Sequence, residues 1–378
     1  MVSTRSVEPA TAGIAKEKRI EPVVYWAILG GLIALFWTYV MVRWMTGPYF
    51  KRVPTGITDP PMWQKVALTG IQLGGVVIAI GVVYWLLIRP WRRNGTPTTL
   101  GLLTICYATL FCQDVIGVAA GYWYTYNSWM INFGSWAPYL PGFTTKVGEP
   151  GNMFAEPILA MGPGYMYYWL ISVALGMWVL KKARQKFPNL GMPFAIAMVF
   201  VVVFLFVTVI EGFVWMKIGF YTYPGMPGPR LFSGSASYPL LESALSGVMM
   251  IPYVLMYYYR DDRGHTVFER GVERLRVGSK RKVLIRFLAL LAACQAIYFV
   301  IEQVPAYWIG ANQTSWPKEV QERSYFLNGV CGGDTGRLCP GPTMPNLRKD
   351  SVQIGEGGQI IGDRSQLPTA VPVLQGTH

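Results

Sequence analysis

PFAIAMVFVVVFLFVTVIEGFVWMK, residues 193–217, runs from Pro193 to Ile210 without a charged side chain and then meets Glu211. At 1.5 Å per helical residue, about 20 such residues cross the hydrocarbon of a bilayer. The stretch is therefore predicted to be a transmembrane helix. Six further apolar runs of similar kind lie at 24–46, 66–88, 99–124, 163–180, 238–258 and 284–306. Across all 378 residues 52% are hydrophobic, 14% are aromatic and mean hydropathy is +0.32. These values belong to a polytopic membrane protein. The expected fold class is all-α, a transmembrane bundle of about seven helices. A short segment (1–23) precedes the bundle (24–310), and a Gly/Pro-rich, loosely ordered tail (311–378) follows it.

Many run ends carry the Trp and Tyr residues that favour the membrane interface, among them Trp37, Trp85, Trp178 and Trp215. The first 23 residues are polar and show no small-residue cleavage pattern, so the first helix is expected to stay as an anchor. Orientation follows from the basic residues. Those of the N-terminal segment, Arg89 to Arg93, Lys181 to Lys186 and Arg260 to Arg286 all fall on one side of a seven-helix chain and make up 20 of the 33. Lys and Arg collect in cytoplasmic connections, which places the N-terminus inside, the C-terminus outside and the protein in the cell membrane. Most of the net charge of +13 then reflects topology and contact with anionic lipid. The Arg260–Arg286 run interleaves acids and leads straight into a helix, so no nucleic-acid partner is expected.

Absences narrow the chemistry. The chain has only two histidines, His265 and His378, too few for a histidine-ligated iron site, and no Gly-rich phosphate loop precedes a helix. No metal and no organic cofactor are expected. Cys331 and Cys339 in CGGDTGRLC either close a small disulfide loop or remain two free thiols, and only Asp334 could add a metal ligand there.

Glu211 has three companions within or at the ends of apolar runs: Asp114, Glu242 and Glu302. An acid in hydrocarbon marks a functional position unless a partner explains it. All four fall in the outer half of their helices. Asp114 should be the deepest, about ten residues or 15 Å from the outer end of the third helix. Helical spacing puts Thr208, Glu211 and Trp215 on one face, Tyr238, Glu242 and Ser246 on another, and Gln295, Tyr298 and Glu302 on a third. Four acids at one level with no intramembrane Lys, Arg or His beside them would repel unless some hold protons.

The connection after the third helix reads GYWYTYNSWMINFGSWAPYLPGF (121–143) and EPGNMFAEPILAMGPGYMYYW (149–169). It is aromatic, turn-rich and nearly uncharged. It is expected to fold back over the bundle as a lid or re-entrant segment and bring Glu149 and Glu156 to the same face as the acids, the alternative being an aromatic belt lying in the interface. The connection KIGFYTYPGMPGPRLFSGSASYPLLESALSG (217–247) is similar in kind, with Arg230 as a candidate partner for an acid. Carboxyls between Trp and Tyr faces suit acid-promoted chemistry through a cation. One carboxyl donates a proton, another accepts one, and aromatic faces stabilise the charge between.

The aromatic stretch after the third helix, the YPGMPGPRLFSGSASYPLLESALSG segment (223–247) and RSYFLNGVCGG (323–333) resemble the AveC-like spirocyclase family over most of residues 24–340. The resemblance implies an integral-membrane enzyme. The founding member is implicated in closing a dihydroxy-ketone polyketide into a spiroketal with loss of water. The expected partner is then an apolar small-molecule substrate of secondary metabolism. Asp114 and Glu302 are the expected acid and base, in either order, and Glu211, Glu242 or Glu156 could replace either. Trp123, Tyr126, Trp129, Trp136, Tyr165, Trp215, Tyr238 and Tyr298 are the candidate substrate walls. Two other classes stay open: a proton-coupled carrier of a lipophilic metabolite, although no internal repeat is seen, and a scaffold whose acids bind a partner helix.

Overall fold

The computed structural model describes residues 20–120, 122–141, 154–333, 335–341, 353–354 and 360–361. Seven helices within them are long and apolar enough to span a membrane, which makes the chain a multi-pass membrane protein. They are α1 (Pro22–Met45), α2 (Met62–Asn94), α3 (Thr99–Ala119), α4 (Ile158–Lys186), α5 (Met192–Trp215), α6 (Leu240–Tyr258) and α7 (Ser279–Ala311). Two ends differ from expectation with consequences for the site. α3 stops at Ala119 because Tyr122 takes a positive φ of 45° and the chain runs on extended into Thr125–Tyr126. Asp114 is therefore five residues from the end of α3 rather than ten, while α7 continues nine residues beyond Glu302. α2 also runs past 88, so Arg89, Arg92 and Arg93 sit on its last turns rather than in a loop.

Side-chain chemistry sorts the helices by depth. The apolar window of α2 is only 11% buried and those of α1 and α5 are 22% buried, whereas that of α3 is 72% buried. α1, α2 and α5 thus present Leu35, Val77, Ile80 and Leu205 outward, the faces a lipid bilayer covers. α3 carries Thr104, Gln113 and Asp114 inside. α4 packs on α2, α3, α5 and α6, and α7 packs on α1 and α3. The α1–α7 approach is close because Gly30 has no side chain: a Cβ there would meet the Leu288 carbonyl oxygen at 1.9 Å. Small residues admit such contacts between spanning helices.

The two ends of the bundle are built differently. At the basic end, Glu269 is fully buried and pairs with Arg286 (Nε to Oε1 2.9 Å) while accepting from Thr99 and from the Thr266 N–H (2.8 Å). Arg286 also donates to the Pro97 carbonyl (3.2 Å), tying the 259–278 connection to the foot of α3. The opposite end is closed by a cap. β1 (Thr125–Tyr126) and β2 (Tyr221–Thr222) pair antiparallel, Thr125 opposite Thr222 and Tyr126 opposite Tyr221, and so join the two aromatic connections directly.

Residues 312–341 pack onto that pair. The Tyr325 carbonyl accepts from the Ser128 N–H (2.9 Å). Asn328 holds a left-handed backbone (φ 54°), donates to the Tyr126 carbonyl (3.1 Å) and accepts from the Ala155 N–H (2.9 Å). Trp316, Tyr325, Phe326 and Leu327 are buried, and Cys331 and Cys339 form a disulfide. Of the two cysteine readings, the disulfide is the one the structure contains. The tail expected to be loosely ordered from 311 therefore starts as part of the cap. Glu149, Asp334, His378 and most of 342–378 lie outside the described residues.

Candidate functional site

Two of the spans that meet below the cap loosen their helix at the acid. Thr208–Trp215 in α5 and Phe299–Gln303 in α7 wind as π-helix, and they carry Glu211 and Glu302. Such turns recur at functional positions because they turn out a side chain that a regular α-helix would not. Glu242 reaches the same level from the first turn of α6. The three glutamates line one cavity of about 240 Å³ between α4, α5, α6 and α7. They are 8%, 6% and 5% exposed for Glu211, Glu302 and Glu242, and among the described residues no Lys, Arg or His lines the space.

Their hydrogen bonds differ. Glu211 Oε2 accepts from the Tyr223 hydroxyl (2.7 Å). Glu242 Oε1 accepts from Ser246 (3.1 Å), and its Oε2 has no partner. Glu302 Oε2 likewise has none. A buried carboxyl oxygen without a donor is costly in a finished structure, so two unsatisfied oxygens at one cavity mark where a polar group of a ligand would be received.

Asp114 forms a second centre just behind the cavity wall. It is fully buried. Its Oδ1 accepts from Tyr124 (2.7 Å) and Tyr165, and its Oδ2 accepts from Tyr126 (2.8 Å). The Tyr165 hydroxyl in turn meets that of Tyr298 at 2.7 Å, and Tyr298 is one helical turn before Glu302. Trp169 stacks on Tyr165 at 5.0 Å and stands edge-on to Tyr298 at 5.5 Å, fixing both rings. Asp114 thus reaches the cavity through a chain of phenol hydroxyls, since Tyr124, Tyr126, Tyr165 and Tyr298 all line it and Asp114 does not.

Glu156, on the segment leading into α4, also lies behind this wall, against Asp114. Among the described residues no N–H or hydroxyl donates to either of its oxygens, and its polar partner is the Asp114 carboxyl. Burial first, and the Asp114 charge second, push its carboxyl well above the ordinary range. A carboxyl whose folded pKa is raised binds more protons folded than unfolded. Its contribution to stability is complete below its unfolded value, about 4.3, and is lost as pH rises through the folded one. Glu156→Gln keeps the shape and removes the titration. Between about pH 5 and about pH 8 its thermal midpoint should therefore fall less than that of the unsubstituted protein. Parallel slopes in the two proteins would show that Glu156 does not titrate in this way.

The roof of the cavity is a repeated triplet. Tyr124-Thr125-Tyr126 and Tyr221-Thr222-Tyr223 are the two segments that β1 and β2 zip together, and strand alternation sends the tyrosines to one face and the threonines to the other. Tyr124 and Tyr223 rings lie 6.0 Å apart, as do those of Tyr126 and Tyr221. Burial first, and the facing carboxylate second, push the Tyr124, Tyr126 and Tyr223 phenols well above their usual value and keep them as O–H donors. This roof therefore joins the two centres, two of its hydroxyls on Asp114 and one on Glu211.

Of the residues expected to line a site, Glu211, Glu242, Glu302, Tyr126, Tyr165, Trp215 and Tyr298 are brought together. The others are placed elsewhere for visible reasons. Trp136 packs edge-on to Trp44 (5.2 Å) and Phe111 (5.1 Å) and donates to the Cys112 carbonyl (2.8 Å). Trp129 lies under the Lys65 ammonium, 4.3 Å from the ring centre. Trp123 is buried against the end of α3, in reach of Gly117. Tyr238 backs the Glu211 turn, bonded to Ser243 (2.8 Å) with its ring against Gly212. Arg230 is not an acid's partner: it donates to the carbonyls of Tyr223 (3.1 Å) and Met226 and to the Ser237 hydroxyl (3.0 Å), and so holds the loop that presents Tyr223. Tyr124, Tyr168, Trp169, Phe220, Tyr221 and Tyr223 are lining residues that the sequence reading missed. The duplicated YTY triplet, with its period of two, was the signal available for three of them.

A family model described as Spirocyclase AveC-like matches residues 91–326. That range runs from the last turn of α2 into the cap and contains Asp114, Glu156, Glu211, Glu242 and Glu302, leaving α1 and most of α2 outside. No curated protein and no solved structure matches the chain.

Proposed function

The chain belongs to the AveC-like spirocyclase family, membership that suggests a cyclase role, and on that premise we propose that it closes an apolar dihydroxy-ketone into a spiroketal inside the three-glutamate cavity. The observation that carries the reading is the meeting of Glu211, Glu242 and Glu302 under a tyrosine roof, with no cation among the lining residues. Like charges so placed repel, and the repulsion is relieved when protons are shared among the three. Shared protons are what an acid–base cyclisation uses.

The step balances within the cavity. One addition of a hydroxyl to the ketone gives a hemiketal. A glutamic acid donates its proton to the hemiketal hydroxyl, the C–O bond breaks, and water leaves an oxocarbenium ion. The second hydroxyl attacks that carbon as a glutamate takes its proton, so the net change is loss of one water. Glu302 and Glu242, each with an unbonded oxygen, are the groups placed to donate. Glu211, held by Tyr223, is placed to accept. The faces of Tyr165, Tyr168, Trp169 and Tyr221 surround the position of the cation. Asp114 acts through Tyr165 and Tyr298 rather than on substrate, as a positioning residue.

Substrate would arrive from the bilayer. The cavity wall includes Ile171, which is 49% exposed on α4, and the partly exposed Phe206 and Ile210 on α5, so the opening faces lipid in the half nearer the cap. An apolar polyol ketone would partition there before binding. The test is to compare small-molecule extracts of cells making the unsubstituted protein and a Glu242→Gln/Glu302→Gln double variant at matched levels. The expected result is a product one water lighter than a precursor that accumulates only in the variant. Identical extracts in a host that supplies the precursor would remove the proposal, and an unchanged mass redistributed across the membrane would assign transport instead.

A further inference from the structure

At the basic end a second hollow of about 440 Å³ opens between the last turns of α2, the first turns of α3 and the start of α7. Its depth is apolar, formed by Leu87, Leu102, Ile105, Val283 and Phe287. Its rim is polar, with Trp91, Thr96, Ser279 and Lys280. The deep residues lie within spanning helices and the rim residues lie where those helices leave the apolar layer, so the hollow straddles the depth at which acyl chains meet headgroups.

Charge decides what fits. Among the described residues no acid lines the hollow. Lys280 stands on the rim itself, and Arg92, Arg93 and Arg281 lie within two residues of the rim residues Trp91 and Lys280, at the same level of the bundle. None of the four is in an ion pair with a described residue, whereas Lys282, one residue further along, is engaged by Glu273 at 3.4 Å. An indole that is 44% exposed at the rim completes an interfacial anchor. We infer that this hollow is a binding site for an anionic glycerophospholipid, with an acyl chain in the apolar depth and the phosphate at Lys280. The site is independent of the cavity below the cap and of the chemistry proposed there.

The whole protein, purified in detergent, would be incubated with dioleoylphosphatidylglycerol or dioleoylphosphatidylcholine, and retained lipid counted by native mass spectrometry. The unsubstituted protein should retain the phosphatidylglycerol in preference. Lys280→Glu, at an exposed position that leaves the fold alone, should weaken that retention by at least about fivefold, the loss expected for removing one basic residue at a lipid surface. Lys182→Glu, exposed at the same end of the bundle but away from the hollow, should leave it unchanged. Equal losses in the two variants would reduce the effect to the diffuse field of the basic end and overturn the site. Equal retention of the two lipids by the unsubstituted protein would overturn it as well.

Discussion

Glu302→Gln is expected to slow product formation by about a hundred- to ten-thousand-fold, the range lost when a positioned general acid or base is removed. The amide matches the carboxyl in shape but supplies no acid proton at the oxygen that now stands unbonded at the cavity. Stability should not fall with activity, because the substitution takes one of three clustered acids out of a space that no cation lines. The check is the initial rate of the dehydrated product in membranes, by mass spectrometry, alongside a thermal midpoint. A rate within threefold of the unsubstituted protein would remove Glu302 from the chemistry.

Asp114→Asn should behave differently, costing about 3 kcal/mol of stability as well as most of the activity. Three phenol hydroxyls converge on the two carboxylate oxygens, and an amide replaces one acceptor with a donor. At least one buried O–H is then left facing an N–H. If Tyr165 is the one displaced, its link to Tyr298 is lost and the aromatic wall next to Glu302 shifts. Tyr165→Phe, which removes the same link and strands only the Tyr298 O–H at the cavity wall, should reproduce the loss of activity at a smaller cost in stability. The two variants are compared by thermal midpoint and by rate. An Asp114→Asn protein as stable and as active as the parent would mean the tyrosine cluster is not organised by this carboxylate.

The contrast between these residues also shows what the sequence could and could not carry. Hydropathy is a property of each run alone, so seven spans were legible, and an acid in hydrocarbon is conspicuous wherever it falls. Glu211, Glu242 and Glu302 were also legible as a group, because each sits on a polar stripe and such stripes turn inward. Asp114 was misjudged by the same logic. α3 is the most buried span, and a polar residue on a helix surrounded by protein need not face the open space; here Tyr124 and Tyr126 of the connection after α3 and Tyr165 of α4 stand between. Those connections were readable as a lid by composition. Their pairing through two YTY triplets was not read, because it joins residues about 96 positions apart and two-residue strands give almost no periodic signal. Of the tryptophans expected on the cavity only Trp215 lines it; Trp123, Trp129 and Trp136 pack the cap and the end of α3, where large indoles fill volume. Residues 312–341 gave no period at all, yet they are fixed by specific backbone bonds to the cap, as Asn328 illustrates.

The central claim is that three glutamates share one small cavity open to lipid and hold protons among them. Dicyclohexylcarbodiimide tests it without knowledge of the substrate, since this apolar reagent reaches carboxyls from the bilayer and adds to those that carry a proton. Peptide mass mapping after treatment in vesicles should find the adduct on Glu211, Glu242 or Glu302, with no more than one adduct per chain, because a cavity of about 240 Å³ has no room for a second. Chains with two or three of these glutamates modified at once, or with none modified while acids elsewhere react, would contradict the shared site.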